Sequence, residues 1–453
     1  MIYADVVHYL KNQKKSKYDA LRQAIPYEDM VSSLEDPHKL KYMNYIKKAY
    51  AAMDLNIDPS KVIVVAGTNG KGSVCATLQT LLMAAGKNVG FFSSPHFLKV
   101  NERIKFNGKD ISDDDFCRVF LAVRKKVTTS CEEAEDLTLS FFEYITAMAV
   151  YYFFDTHREN IDYAILEVGL GGALDSTNAI PHATSVIAKL GLDHESVLGR
   201  NLPEIAVNKF GIIAPRNNVF HMKFDSAEVS LLFEKCIREL HCNAIEAHAC
   251  SMLIDKSKKY PTFGIRTPFG DFPMNMQGMR AVENTALAIT VFDNLEPNAA
   301  KFLSAVKNVN WPGRMEKIHH KNRDIFLSGD HNPQGIESLL EILSHYKFRE
   351  IHFVVGICSD KNHLKMLQKL MTLKNSHLYL TETPLKTLPL KCYDKNFLEL
   401  AQFASPNPLE AFNAAVLNAK SDDLLVVTGS LYLISRILRE IFPGKCLLET
   451  SRI

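Results

Sequence analysis

Lys71 and Ser73 stand two residues apart in a glycine-rich run, Gly67-Thr68-Asn69-Gly70-Lys71-Gly72-Ser73. A lysine ammonium and a hydroxyl at that spacing suit a polyphosphate. The lysine reaches the β/γ-phosphates and the serine ligates magnesium. The glycines let backbone N–H groups approach phosphate oxygens with no Cβ in the way, and the following helix start adds partial positive charge. The run departs from the general P-loop pattern, because Gly72 separates the lysine from the hydroxyl.

Further candidates recur at matching places. Glu167 closes an apolar run and precedes Gly169-Leu170-Gly171-Gly172, where a carboxylate suits a magnesium ligand. His194 follows a second apolar run. Ser94 and His96 lie in Ser93-Ser94-Pro95-His96, a polar turn after a third. In an open α/β sheet, ligands gather at the carboxyl ends of parallel strands.

The elements that must position these groups follow from hydrophobic pattern. Val62–Ala66 reads as the strand before the phosphate loop, with a helix from Val74 to Ala85 and Gly86 as its stop. Asn88–Phe92, Ile161–Val168 and Thr184–Leu190 read as buried strands. Leu139–Tyr152, Leu202–Gly211 and Met279–Leu295 read as helices, with Glu143 an unusual charge expected to face a site. Residues 101–108 form a charged hairpin-like segment, and Ser112 with the following aspartates caps a helix. Residues 217–275 are less regular, with strand and helix fragments to which no chemistry attaches.

After Asn310-Trp311-Pro312-Gly313-Arg314 a fresh αβ alternation starts, with strands at Ile325–Ser328, Ile351–Gly356, Leu378–Thr381 and Leu424–Thr428. Ser328–Gly335, Asp360-Lys361-Asn362 and Thr428–Tyr432 then form polar strand ends expected to line a cleft. The fold expected is α/β. A P-loop ATPase-like domain with a mainly parallel sheet, residues 1–311, precedes a smaller Rossmann-like domain, residues 312–453.

Bulk properties agree with a two-domain globular chain of 453 residues, 47% hydrophobic and 23% charged. A formal net charge of +2 gives no reason for a nucleic-acid or anionic-membrane partner. Met1–Leu10 lacks a sustained apolar core and does not read as a secretory signal, and Ile145–Phe154 is too short to span a bilayer. Nine dispersed cysteines read as reduced thiols in a cytoplasmic protein. A monomer is expected. His241, Cys242, His248 and Cys250 fit no standard zinc spacing. The lysines at 11, 14, 15 and 17 read as a solvated face.

The chain resembles the folylpolyglutamate synthase/dihydrofolate synthase family of the Mur ligase superfamily. The likeness rests on residues 67–73, Ser-Pro-His (94–96), Asn-Glu-Arg-Ile (101–104), Phe-Phe-Glu-Tyr (141–144) and Glu-Val-Gly-Leu-Gly-Gly (167–172). It continues through Leu-Asp-Ser-Thr-Asn (174–178), Leu-Asp-His-Glu (192–195), Lys209, Gly-Arg (313–314), His-Asn-Pro (331–333) and Thr-Gly-Ser-Leu-Tyr-Leu (428–433). The resemblance implies ATP-driven conversion of a carboxylate to an acyl phosphate, then attack by the amine of L-glutamate. The acceptor would be dihydropteroate or a reduced folate. It implies ATP contacts from Thr68, Asn69, Gly70, Lys71, Gly72, Ser73, Asn284 and Arg314. Two magnesium ions are implied, on Ser73 and Glu167 and on His194, with a carbamylated Lys209 supporting the second. His331 would shape the amino-acid side. Ser94, His96 and Asp175 would meet the acceptor. Lys71, His194, Lys209 and His331 are the catalytic set.

This chain departs from the family pattern at Ala173, Arg280-Ala281, Ser328, Asn208 and Phe210. Those departures keep open two other readings. One is a paralogous ligase acting on a different carboxylate. The other is a nucleotide-binding regulatory protein without turnover.

Overall fold

A computed structural model describes residues 2–13, 37–129 and 139–443. Lys14, Lys15 and Lys17 lie outside the described residues. The chain divides into two compact units, Met1–Ala249 with Glu283–Ala305, and Cys250–Val282 with Val306–Ile453.

The first unit is built on an eight-stranded sheet. Its strands are β1 (Val62–Ala66), β2 (Val89–Phe92), β3 (Ile104–Phe106), β4 (Lys109–Asp110), β5 (Tyr163–Glu167), β6 (Thr184–Ile187), β7 (Asn218–His221) and β8 (Asn243–Glu246). Their order is β4-β3-β2-β5-β1-β6-β7-β8. All neighbours are parallel except at the β3–β4 edge, where β3 runs antiparallel to both β2 and β4. The turn of that edge hairpin is Asn107-Gly108, both at positive φ, the pair a tight two-residue hairpin favours. Central β1 and β2 are apolar and buried at every position, as strands covered on both faces must be. Val62, Val64, Phe92, Phe120 and Leu166 share one core with the helices Asp113–Thr129 and Phe141–Tyr151.

Two local readings change. The helix after β1 begins at Lys71, three residues before the apolar pattern does. Gly70 takes the left-handed conformation as its N-cap, so Lys71 and Gly72 already lie in the first turn. Glu143 does not mark a site by its charge. It is the third helical residue of a capping box, accepting the Ser140 N–H at 2.6 Å while Ser140 caps the Glu143 amide.

The second unit holds a three-stranded antiparallel sheet, β9 (Ser251–Asp255), β10 (Thr262–Thr267) and β11 (Gly270–Met274), in the stretch that reads only as strand and helix fragments. Its larger sheet has strands β12 (Arg314–His320), β13 (Arg323–Ser328), β14 (Ile351–Gly356), β15 (Ser376–Thr381), β16 (Phe403–Ser405) and β17 (Leu424–Thr428). The order is β12-β13-β17-β14-β15-β16, parallel apart from the antiparallel edge strand β12. Phe326, Phe353, Val355 and Val426 form its core with Ile336 and Leu339 of the helix Pro333–Leu343. Among the described residues, no helix is long and apolar enough to cross a membrane.

Candidate functional site

In the first unit the site grows from the end of β1. Gly67 has φ +151°, and a Cβ there would lie 2.8 Å from the Ala188 Cβ, so the loop passes β6 at a distance only glycine permits. Thr68 and Asn69 donate their amides to the Lys189 carbonyl at 2.9 and 3.2 Å. The Thr68 hydroxyl donates to the Gly191 carbonyl and accepts its amide, which ties the loop to the segment leading to His194. The helical ladder starts with Val74 N–H to the Gly70 carbonyl. The amides of Lys71, Gly72 and Ser73 precede it, and no side chain caps this helix. A bare helix start of this kind is an anion site.

Two ammonium groups meet behind it. Lys71 Nζ donates to the Gly67 carbonyl at 3.0 Å and lies 3.4 Å from the Thr68 carbonyl. Lys209, in the helix Leu202–Phe210, donates to the same Gly67 oxygen at 2.9 Å. Lys209 is buried. Loss of hydration, and then the Lys71 charge, pull its pKa down to about 7. A lysine in that range presents a substantial neutral fraction at physiological pH, as a nucleophilic amine requires.

Glu167 ends β5, the strand beside β1, in register with Val65. It is 4% exposed, and one of its oxygens accepts the Ser94 amide at 3.1 Å, so the turn after β2 and the end of β5 are joined. Ser73 is equally buried. These are hard oxygen donors of the kind magnesium takes. Asn284, in the helix Met279–Leu295, is 2% exposed. It packs so close to the loop that a Cβ on Gly70 would lie 2.2 Å from its Oδ1. That oxygen has no hydrogen-bond partner among the described residues. A buried orphan acceptor beside a bare helix start fits a site awaiting a ligand.

His194 takes a left-handed conformation (φ +52°) at the head of the short helix Glu195–Leu198, with its amide donated to Asp193 at 2.8 Å. His96 accepts the Arg103 Nε–H at 2.9 Å, so Arg103 sets its ring; the charged hairpin pattern gave no sign of that role. Asp175 is buried and spent locally. One oxygen accepts the amides of Gly169 and Leu170, the other the amide and hydroxyl of Thr177. It shapes the glycine-rich turn after β5.

Arg314 and His331 belong to the second unit. Arg314 opens β12, and its neighbour Gly313 accepts the Gly329 amide. His331 donates Nδ1–H to the Gly329 carbonyl at 2.8 Å, leaving Nε2 as the acceptor nitrogen. Asp330 binds the Ser328 hydroxyl at 2.6 Å and pairs with Arg280 at 3.0 Å, while its carbonyl accepts the Gly429 amide. The ends of β13 and β17 are thus laced together, and Gly429 lies against the Gly356 carbonyl at the end of β14. The His241–Cys250 cluster is not gathered: Cys242 donates to the Ala214 carbonyl, and His248 faces Asp293.

A nucleotide-type loop on one α/β unit is thus followed in the chain by a second, mainly parallel α/β unit, an arrangement that suits an ATP-dependent enzyme. Residues 313–431 match the Mur ligase glutamate ligase domain. The chain is 31% identical over 316 residues to a dihydrofolate synthase/folylpolyglutamate synthase of Buchnera aphidicola subsp. Baizongia pistaciae, covering 69% of this chain and 71% of that protein. It is 29% identical over 391 residues to the Bacillus subtilis protein of the same name, covering 83% and 89%. A solved FPGS–AMPPCP–folate complex superposes with a TM-score of 0.78 at 25% identity, covering 98% of this chain and all of that one. The chain belongs to the folylpolyglutamate synthase/dihydrofolate synthase family, and it is an ATP-dependent acid–amino-acid ligase.

Proposed function

We propose that this chain joins L-glutamate to dihydropteroate, and to reduced folates, at the expense of ATP. The acceptor carboxylate attacks the γ-phosphorus, ADP departs, and an acyl phosphate forms. The neutral glutamate amine attacks its carbonyl carbon. The tetrahedral intermediate expels phosphate and loses a proton to give the amide. The observation that carries this reading is the uncapped helix start at Gly70–Ser73, with Lys71 on the Gly67 carbonyl and the orphan Asn284 oxygen beside it.

In this reading Thr68, Asn69, Gly70 and Gly72 shape the cradle, and Lys71 neutralises charge on the transferred phosphoryl. Arg314 contacts the nucleotide. Ser73 and Glu167 hold a magnesium ion, which supplies further charge neutralisation when bound. His194 and a carbamylated Lys209 hold a second. The depressed Lys209 pKa supports carbamylation, because only the neutral amine reacts with carbon dioxide. Ser94, His96 and Asp175 form the acceptor side, Asp175 by fixing the turn, and His331 serves the glutamate side.

ADP release with dihydropteroate and glutamate tests the substrate assignment. Turnover should require both and fall by about 10²–10³-fold in Lys71→Ala. Lys209→Ala should regain activity with added short carboxylates, which fill the space of a carbamate. No ADP release with either pteroate or folate acceptors would overturn the assignment. A second reading keeps the reaction but changes the acceptor. It is favoured by Ala173, whose Cβ packs against Gly211 where the family usually carries an arginine. Preference for another carboxylate in a phosphate-release panel would select it.

A further inference from the structure

Glu350, His352 and His377 lie at the amino-terminal edge of the second unit's large sheet, opposite the strand ends that carry Ser328, Gly356 and Thr428. Each offers one ligand atom, and the three atoms lie within 4.8 Å of one another. The placement follows from register. β14 and β15 run parallel with His352 opposite His377, so both imidazoles rise from one face. Their centroids are 4.9 Å apart with planes at 28°. His377 Nε2 and Glu350 Oε2 are 3.2 Å apart. The edge of a tetrahedron around zinc, with ligands at about 2.0–2.1 Å, is roughly 3.3–3.4 Å.

His352 is buried and its ring is fixed on both sides. Asp423 Oδ2 lies 3.3 Å from Nε2, and the Tyr379 hydroxyl lies 3.0 Å from Nδ1. Both ring nitrogens therefore have protein partners, and an ion would take the place of one of them while the other braces the ring, the arrangement that orients metal-ligating histidines. The His377 and Glu350 side chains are 33% and 36% exposed, which gives an ion a path in and leaves a position for water. Arg349 lies 3.6 Å from Glu350 Oε2, so an incoming ion competes with a guanidinium for that carboxylate. Two imidazoles with one carboxylate favour zinc or cobalt over magnesium, which prefers oxygen ligands throughout.

We propose that Glu350, His352 and His377 form a divalent metal site of the zinc type, clamping β14 to β15 on the sheet edge away from the motif-bearing strand ends. The test uses the full chain, stripped with chelator and titrated with zinc chloride without nucleotide. Bound zinc is measured after gel filtration, and melting temperature in parallel. One equivalent should bind and raise the melting temperature. His377→Ala and Glu350→Gln should each weaken binding by about tenfold or more and abolish that rise. His319→Ala, an exposed histidine on β12, should change neither. Cobalt should give the visible absorption of a four-coordinate nitrogen–oxygen site, lost in Glu350→Gln, which keeps the side chain's size and its fold. Zinc binding that survives both site variants, or no stoichiometric binding, overturns the proposal.

Discussion

Two loops in this molecule end a buried parallel strand and start a helix, and they solve that junction in opposite ways. In Gly67–Ser73 the helix is capped by a left-handed glycine with no side chain. In Ser328–Gly335 it is capped by Asn332, whose Oδ1 accepts the Gly335 amide at 2.7 Å. The first loop is held from behind by Lys189, Lys71 and Lys209 acting on or through backbone carbonyls, so its first-turn amides stay clear of protein side-chain caps. The second is held by a side-chain network of Ser328, Asp330 and Arg280 that uses its polar groups internally. A helix start can cradle an anion or cap itself, and only the first of these two is left without a side-chain cap. That difference is why the proposed phosphate site lies in the first unit. In the second loop His331 is held by the Gly329 carbonyl at 2.8 Å.

The hardest test of that contrast strikes the first loop. Lys71→Ala should lower turnover by about 10²–10³-fold, the usual loss when a preorganised charge is removed from a reacting phosphoryl. Gly70→Ala should be equally damaging for a different reason. Its φ of +91° disfavours a side chain, and the new Cβ would displace Asn284. ADP release and nucleotide affinity report both, and a Gly70→Ala protein that binds ATP like wild type would end the cradle reading.

The second loop should fail through stability instead. Arg280 and Asp330 are mostly buried, so Arg280→Met leaves a carboxylate without its cation and should cost about 3 kcal/mol. Adding Asp330→Ala should recover about half of that, since the uncompensated charge is then gone. Urea unfolding of the singles and the double gives the coupling. If the loss fell on nucleotide affinity with stability unchanged, the two loops would be less different than described.

Lys209 offers a sharper discrimination within the first loop. Its pKa is about 7 folded, against 10.5 ordinarily. Between those values the unfolded chain binds one more proton, so stability rises with pH across that window and is lowest below about 7. Lys209→Met, in bicarbonate-free buffer near pH 7, should therefore raise stability and flatten that pH dependence, while turnover falls. Melting curves from pH 6.5 to 9.5 check the sign.

How far the residues themselves announced this depends on what held them. Gly67–Ser73 was legible as a strand-to-helix turn because backbone conformation demands glycine at 67 and 70. Glu167 was legible because a strand of apolar residues ended on it. Lys209 had no local signal, since its character comes from burial against a carbonyl 142 positions away in sequence. Glu143 misled, because a buried helical carboxylate resembles a site until Ser140 is seen to close a capping box around it. Strands β9–β11 and β12 were illegible for a related reason. An antiparallel edge or a small meander is fixed by pairing partners, and its exposed positions carry no apolar run.

Asn332 gives the smallest effect and the most direct comparison of the two loops. Asn332→Ala should cost about 1 kcal/mol through the lost cap, with the melting temperature lowered and the first unit's nucleotide affinity unchanged. Asn332→Asp should restore the cap and add a favourable charge at the helix start. Gly70→Asp, at the matching place in the first loop, should do the reverse to function. A carboxylate there would occupy the amides that the phosphates need, and repel the phosphates besides. Equal nucleotide affinity in Gly70→Asp and wild type would mean that the bare cap of the first loop is not where phosphate sits.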